Sequence, residues 1–290
     1  MSLELCVLAS GSSGNCTVVR TPAGVVLIDA GIGPRTAAAR MNGTGATVLD
    51  VVAICLTHLD RDHFSTGWVN AIRRRGIRVY CHANRVADLL EICNGELQDH
   101  ITGFDGAFEP LAGIRMDPIA LAHDQEGSHG FLIEGFGCRV GYATDLGRVP
   151  AELVERFVDL DMLAIESNYD PLMQAQSPRP WFLKQRIMGG RGHLSNEQAL
   201  AAVRQILDRC ERTGSRLPAH IVLLHRSRQC NCPNLVRRLF SRDARIAPRL
   251  TLAEQFEPSG RLRIRPARAL VGEQLMLGWV PLAIPAVDCG

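Results

Sequence analysis

Leu56-Thr57-His58-Leu59-Asp60-Arg61-Asp62-His63 puts two imidazoles and two carboxylates within six residues, directly after the apolar run Val51 to Leu56. A short apolar run bounded by polar residues reads as a buried strand, and the residues after it form a loop at its end. Alternate positions of an extended loop share a face, so His58, Asp60 and Asp62 can converge on one point. Imidazole with carboxylate suits zinc, iron or manganese. Four such groups at one strand end point to a metal site rather than to an ordinary polar turn.

Working outward, apolar runs predict further strands at Leu3 to Ala9, Cys16 to Arg20, Val25 to Ile28 and Arg78 to Cys81, with Gly, Pro and Asn clusters between them. Later runs at Ile114 to Ala122, Gly130 to Glu134, Cys138 to Tyr142, Leu160 to Ile165 and Ile221 to Leu224 read the same way. Pro34 opens one helix, which ends near Gly43, and a second spans about Ser65 to Arg75. The clearest helix start is Ser195, with Gln198 three residues on as in a capping box and Leu200, Val203, Ile206 and Leu207 on one face. A short helix is expected at Pro233 to Phe240. No repeat or linker interrupts this order, so one domain over 1-290 is expected, with two β-rich, helix-flanked halves. Within it, 250-290 reads as closing strands and a C-terminal tail.

The 290 residues are 46% hydrophobic and 21% charged, which excludes a disordered or fibrous chain. A net charge of +2 excludes a general polyanion binder, so any nucleic-acid surface is local. Lys184 is the sole lysine, and the arginine bias is spread along the whole chain, as codon usage would produce. Ten cysteines include no C-x-x-C pair, and several lie in apolar runs, as Cys55 does; free thiols in a reducing cytoplasm are expected. Glu4 interrupts any leader-like start, and the apolar stretch Gln274 to Val287 is too short to span a bilayer and contains Pro281 and Pro285. A cytoplasmic protein without a membrane partner is the expectation.

Other residues carry chemistry. His123 and Asp145 each follow an apolar run and precede glycine, which puts them on loops at a sheet edge; His129 competes with His123 for a ligand role. His193 stands two residues before the capped helix start, where it can face an anion. Asp29, in Leu27-Ile28-Asp29-Ala30-Gly31, reads as a brace for neighbouring loops through their backbone amides. The Ser10 to Asn15 loop can offer amides and hydroxyls to phosphate, but it lacks a P-loop lysine and precedes a strand, so a nucleoside-triphosphate site is not expected. Arg73, Arg74, Arg75 and Arg78 form one basic run and Arg226, Arg228, Arg237 and Arg238 another, beside His225. With 5% aromatics, base-stacking platforms are expected to be scarce.

The loop from Thr57 to His63 resembles the T-H-x-H-x-D-H signature of the metallo-β-lactamase-fold hydrolases. Leu8-Ala9-Ser10-Gly11-Ser12-Ser13-Gly14-Asn15-Cys16 is similar to the YycJ/WalJ-like branch, which is related to ribonuclease Z-type nucleases and phosphodiesterases. The likeness runs to about Asn231 through Leu27 to Gly31, His123 to Phe131, Gly141 to Gly147, Gly192 to Asn196 and Leu224 to Arg228. It implies a four-layer αβ/βα sandwich of two mixed β-sheets, classed α/β (α+β), with metals at one edge. It also implies two divalent metal ions (Zn, Mn or Fe), one on His58, Asp60 and His123, the second on Asp62, His63 and His225, with Asp145 between them. Two cations about 4 Å apart would lower the pKa of a shared water toward neutrality and stabilise both attacking and leaving oxygens.

The implied function is hydrolysis of phosphodiester bonds in DNA or RNA, from a 5′ end, by a metal-bridging hydroxide. Asp62 and His193 are the implied catalytic residues, Ser12, Asn15, Asn196, Arg226 and Arg228 the implied substrate contacts, and Asp29 a structural support. Asp60 departs from the family, which usually has a second histidine there; a carboxylate makes that site harder and favours manganese or iron over zinc. Two alternatives stay open on sequence: hydrolysis of a small thioester, lactone or β-lactam on the same centre, and a non-catalytic metal-binding scaffold. The apolar tail from Leu275 to Val287 leaves room for a homodimer contact.

Overall fold

The computed structural model describes residues 3–264. In chain order the elements are β1 (Leu3–Ala9), β2 (Cys16–Thr21), β3 (Gly24–Ile28), α1 (Pro34–Met41), β4 (Val51–Cys55), α2 (Val69–Arg75), β5 (Arg78–His82), α3 (Val86–Ile92), β6 (Ile101–Phe104) and β7 (Phe108–Leu111). There follow β8 (Ile114–Leu121), β9 (Ser128–Gly135), β10 (Cys138–Ala143), α4 (Ala151–Arg156), β11 (Met162–Glu166), α5 (Pro171–Gln176), α6 (Trp181–Met188), α7 (Asn196–Arg212), β12 (His220–Leu224), α8 (Pro233–Phe240), β13 (Leu250–Leu252) and β14 (Leu262–Ile264).

The strands form two seven-stranded sheets, in the orders β14-β1-β2-β3-β4-β5-β6 and β13-β12-β11-β10-β9-β8-β7. Each sheet is mixed in the same way. The pairs β14/β1, β1/β2 and β2/β3 are antiparallel and β3/β4, β4/β5 and β5/β6 parallel. In the second sheet β7/β8, β8/β9 and β9/β10 are antiparallel and β10/β11, β11/β12 and β12/β13 parallel. Parallel neighbours need crossovers, and the helices between them supply these and cover the outer faces.

The layering follows from side-chain alternation. In β3, Val26 and Ile28 enter the core between the sheets, while Val25 and Leu27 face α1 and α2 with Met41, Trp68 and Ile72. In β11, Met162 and Ala164 face the first sheet, whereas Leu163 and Ile165 pack on α7 and α8 through Val203, Ile206, Val236 and Phe240. Strands buried on both faces are therefore apolar at every position, which is why they read as unbroken runs. The result is the four-layer sandwich of two mixed sheets and flanking helices that the sequence implied.

The capping box at Ser195 forms: its side chain accepts from Gln198 N, and the Gln198 side chain accepts from Ser195 N. The helix expected from Ser65 is a 3₁₀ turn at Thr66–Trp68 that leads into α2, with Ser65 capping it. The closing strands divide, β13 extending the second sheet and β14 returning to β1. The tail from Leu275 to Val287, and any contact it makes, lies outside the described residues.

Candidate metal centre

Loops leaving the C-terminal ends of β3, β4, β8, β10, β11 and β12 meet at one edge of the sandwich and bring together His58, Asp60, Asp62, His63, His123, Asp145, His193 and His225. Their ligand atoms fall into groups within 4.8 Å: His58, Asp60 and His123; Asp62, His63, Asp145 and His225; and Asp145, Glu166, His193 and His225. Five of the nine histidines of the chain sit here, too many in one place for incidental loop polarity. The backbone carries strain at the same edge, because Asp29, Asp124, Asp145 and His225 adopt positive φ (59°, 39°, 49° and 51°). Non-glycine residues hold that conformation only where their surroundings over-determine it.

The rings are aimed by neighbours behind them. Asp29, fully buried after β3, accepts from His63 Nδ1 (2.8 Å) and from Thr57 N (2.9 Å) and Oγ1 (3.0 Å). It thus ties the end of β3 to the segment from Thr57 to His63. His58 Nδ1 lies 3.0 Å from Thr57 Oγ1, and His123 Nδ1 meets the Gly192 carbonyl at 2.9 Å. In each of these three imidazoles Nδ1 meets an oxygen behind the ring, which leaves Nε2 to face the centre. Asn15 supports the same loop: its Nδ2 lies 2.8 Å from His63 Nε2 and 3.2 Å from Asp62 Oδ2. Gly31 permits this packing, since a Cβ there would stand 1.8 Å from the Asp62 carbonyl oxygen.

Glu166, the last residue of β11, was not singled out in the sequence. It is fully buried, and its Oε1 lies 2.7 Å from His193 Nδ1 and 3.1 Å from His225 Nδ1, while Oε2 accepts from Leu146 N and Leu194 N. The available signal was a carboxylate closing the apolar run Met162 to Ile165, the same pattern that marks Asp29 after β3. Asn168 adds a donor to the His225 carbonyl (2.6 Å).

Electrostatics fit a cation. Burial and the neighbouring His63 hold His58 well below the usual imidazole range, so it is neutral; its Nε2 is buried without a hydrogen-bond partner. His63 Nε2 stands 2.5 Å from Asp145 Oδ2, where a lone pair and a carboxylate oxygen repel unless a proton or a metal lies between them. Burial opposes the charge on Asp145, yet His225 and His63 hold it well below the ordinary carboxylate range. Burial likewise opposes charging Asp62, but the His225 hydrogen bond and His63 bring it down to about 2. For His193, burial is outweighed by Glu166 and Asp145, which raise it to about 9. Burial opposes charging His63 and His225, but Asp29 and Asp145 hold His63, and Asp145 holds His225, well above the usual imidazole range. Carboxylates and imidazoles converging on the neutral, orphaned His58 match the donor set of a divalent transition metal, which would take the place of those protons.

The remaining sequence-derived residues divide. Ser12 lines a cavity of about 390 Å³ over the centre, together with Asp60, Asp62, His123, Asp145, His193 and His225. Arg226 and Arg228 do not line it: Arg226 is half-buried and paired with Glu254, and Arg228 packs over Phe256 at 4.8 Å. Asn196 is buried behind the wall and bonds Ser167 Oγ and Asn231. The cavity's cations are Arg179, which sequence reasoning passed over, and Arg186, paired with Asp124. His129 stays out of the centre and stacks on His82, centroids 4.4 Å apart.

Similarity to known proteins agrees with this geometry. The exodeoxyribonuclease YycJ of Bacillus anthracis is 26% identical over 238 residues, 82% of this chain and 87% of that protein. The exodeoxyribonuclease WalJ of Streptococcus pneumoniae is 28% identical over 202 residues, covering 68% and 74%. Among solved structures, a diphosphatase of the PhnP family superposes with a TM-score of 0.63 at 16% identity, covering 91% of this chain and 98% of that one. The short form of human tRNase Z gives 0.59 at 17% identity, covering 90% and 99%. Residues 25–221 match the sequence profile of the beta-lactamase superfamily domain, and the chain belongs to that superfamily.

Proposed function

We propose that the protein is a metal-dependent phosphodiesterase acting on DNA as a 5′-exonuclease. The observation that carries this reading is the pairing of two ligand groups, His58/Asp60/His123 and Asp62/His63/His225, around Asp145 at the floor of a cavity with Arg179 in its wall. The similarity to proteins named exodeoxyribonucleases supports DNA over RNA. The polar, charged cavity wall favours an anionic substrate over a neutral lactone or thioester.

Two divalent ions fit the seven residues, and the carboxylate at Asp60 favours manganese or iron at the first site. Bound there, they would supply Lewis-acid activation of water and neutralise charge on the phosphoryl group. The protein's own groups do the rest. Asp62, anionic and fixed by Asn15 Nδ2 (3.2 Å), orients the attacking water and accepts its proton at Oδ. His193, held at Nδ1 by Glu166, has Nε2 free of partners among the described residues and gives a proton to the departing oxygen. Asp29 and Glu166 keep the rings in the orientations this requires.

The same reading takes the chain as one unit, supported by β13 and β14 each completing a sheet. No described helix is long and apolar enough to cross a membrane, and the nine cysteines among the described residues are free, which supports a cytoplasmic setting. The test is cleavage of 5′-labelled single- and double-stranded DNA and RNA by manganese-loaded protein, with chelator and Asp62→Ala as controls. Shortening of DNA from its 5′ end, lost in both controls, is expected; a fully loaded protein that cleaves no nucleic acid overturns the reading.

A further inference from the structure

Helix α6 forms one wall of the cavity with Leu183, Arg186 and Ile187, spaced at three and four residues on a single face. At its start, in sequence between the cavity-lining Arg179 and Leu183, Trp181 and Phe182 are 75% and 69% exposed, two adjacent large aromatics left in solvent. Exposed aromatics so placed mark a recognition surface rather than a packing fault. Just before them, Arg179 lines the cavity. Its guanidinium is held by the Gln174 side-chain oxygen (3.2 Å) and the Gln229 side-chain oxygen (3.3 and 3.2 Å), and no carboxylate among the described residues pairs with it. Neutral amides fix its direction while leaving its charge available to a phosphate. Lys184, the sole lysine, lies on the same helix.

Cations that track a backbone, next to aromatic faces on which bases stack, are what a single strand binds; in a duplex those faces are covered by neighbouring base pairs. We propose that Trp181 and Phe182 are a stacking platform for unpaired bases and that Arg179 holds a phosphate of the same strand, so the substrate is a single-stranded end. This deepens the reading above and rests on it. It also revises the expectation from composition, since 5% aromatics suffice when two exposed ones adjoin cavity-lining residues in the chain.

The test compares the full-length metal-loaded protein with Trp181→Ala, Phe182→Ala and Trp181→Phe on a 5′-labelled single-stranded oligonucleotide, on its duplex and on bis(p-nitrophenyl) phosphate. Leu49→Ala, an equally exposed apolar residue far along the chain, is the surface control. For Trp181→Ala, kcat/KM on the single strand falls about tenfold further than on the small diester, mainly through KM, and Trp181→Phe restores most of it. Equal losses on both substrates, an unchanged KM, or stronger binding of phosphatidylglycerol vesicles than of the oligonucleotide overturns the platform. Nuclease activity that persists in such a case leaves the metal-centre reading standing, whereas a protein that cleaves neither substrate removes both.

Discussion

His63 and His225 are enclosed on every side, each held by a buried carboxylate, and the Asp145 they face is only 2% exposed. Across the same centre, His58 and His123 share their group with Asp60, whose side chain is 53% exposed and stands 3.8 Å from His58 Nε2. One half of the centre is over-determined, with Asp29, Glu166 and Asn15 fixing its ligands; the other ends in a carboxylate held by few neighbours. Rigid, buried donors bind a metal tightly because little ordering remains to be done, and an exposed carboxylate must give up solvent and freedom on binding. The two halves are therefore expected to bind unequally, with the Asp62/His63/His225 half the tighter.

The most severe way to break this contrast is to remove the residue both halves share. Asp145→Ala should lower kcat/KM on bis(p-nitrophenyl) phosphate by about a thousandfold or more, and Asp62→Ala should do the same, with thermal unfolding used to check that each variant folds. Next in size is the support of the enclosed half. Glu166→Gln keeps the shape but weakens the acceptor for His193 and His225, and metal affinity should fall about 10- to 100-fold by titration calorimetry. Wild-type affinity in that variant would mean that the enclosure does not set the contrast.

Asp60→His sharpens it from the other side. A softer donor in the open half should raise its preference for zinc over manganese about tenfold in a competition assay, leaving the enclosed half as it was. The smallest effect lies just outside the centre, at His129, whose imidazole burial and then the stacked His82 bring down to about 4. The unfolded chain takes up that proton near its ordinary value of 6.5, the folded chain only near 4. Between those values the unfolded state binds more protons, so stability is full above about pH 6.5 and is lost as pH falls. His129→Gln should remove about 1 kcal/mol of the stability difference between pH 7 and about pH 5.5, read from urea midpoints.

Much of this was legible because the relevant strands are buried on both faces. Val25 to Ile28, Val51 to Cys55 and Ile221 to Leu224 appear as unbroken apolar runs, and a polar residue just past such a run, as Asp29, His58 or His225 is, stands out against it. The edge strands β6 and β7 were not legible, since Ile101–Phe104 and Phe108–Leu111 are only partly buried and carry no clear period. Helices α5 and α6 were missed for a related reason: both begin beside prolines, are short, and bury single residues, Gln174 and Ile187. That gap concealed Arg179 and the aromatic pair, and it left the basic residues near His225 as the apparent phosphate contacts. Arg226 is instead neutralised by Glu254, a partner 28 positions away that sequence proximity does not disclose. Glu166 was hidden differently, since it occupies the last position of its strand and so belongs to the run rather than to the loop after it.

The most direct measurement is the metal content of the fully loaded chain under stepwise chelation, with phosphodiesterase activity read on the same aliquots. Two divalent ions per chain leaving in two separate steps, with activity lost in the first, is the expected result. A chain that holds at most one ion when saturated, or that keeps its activity after both have gone, would contradict a shared centre with unequal halves.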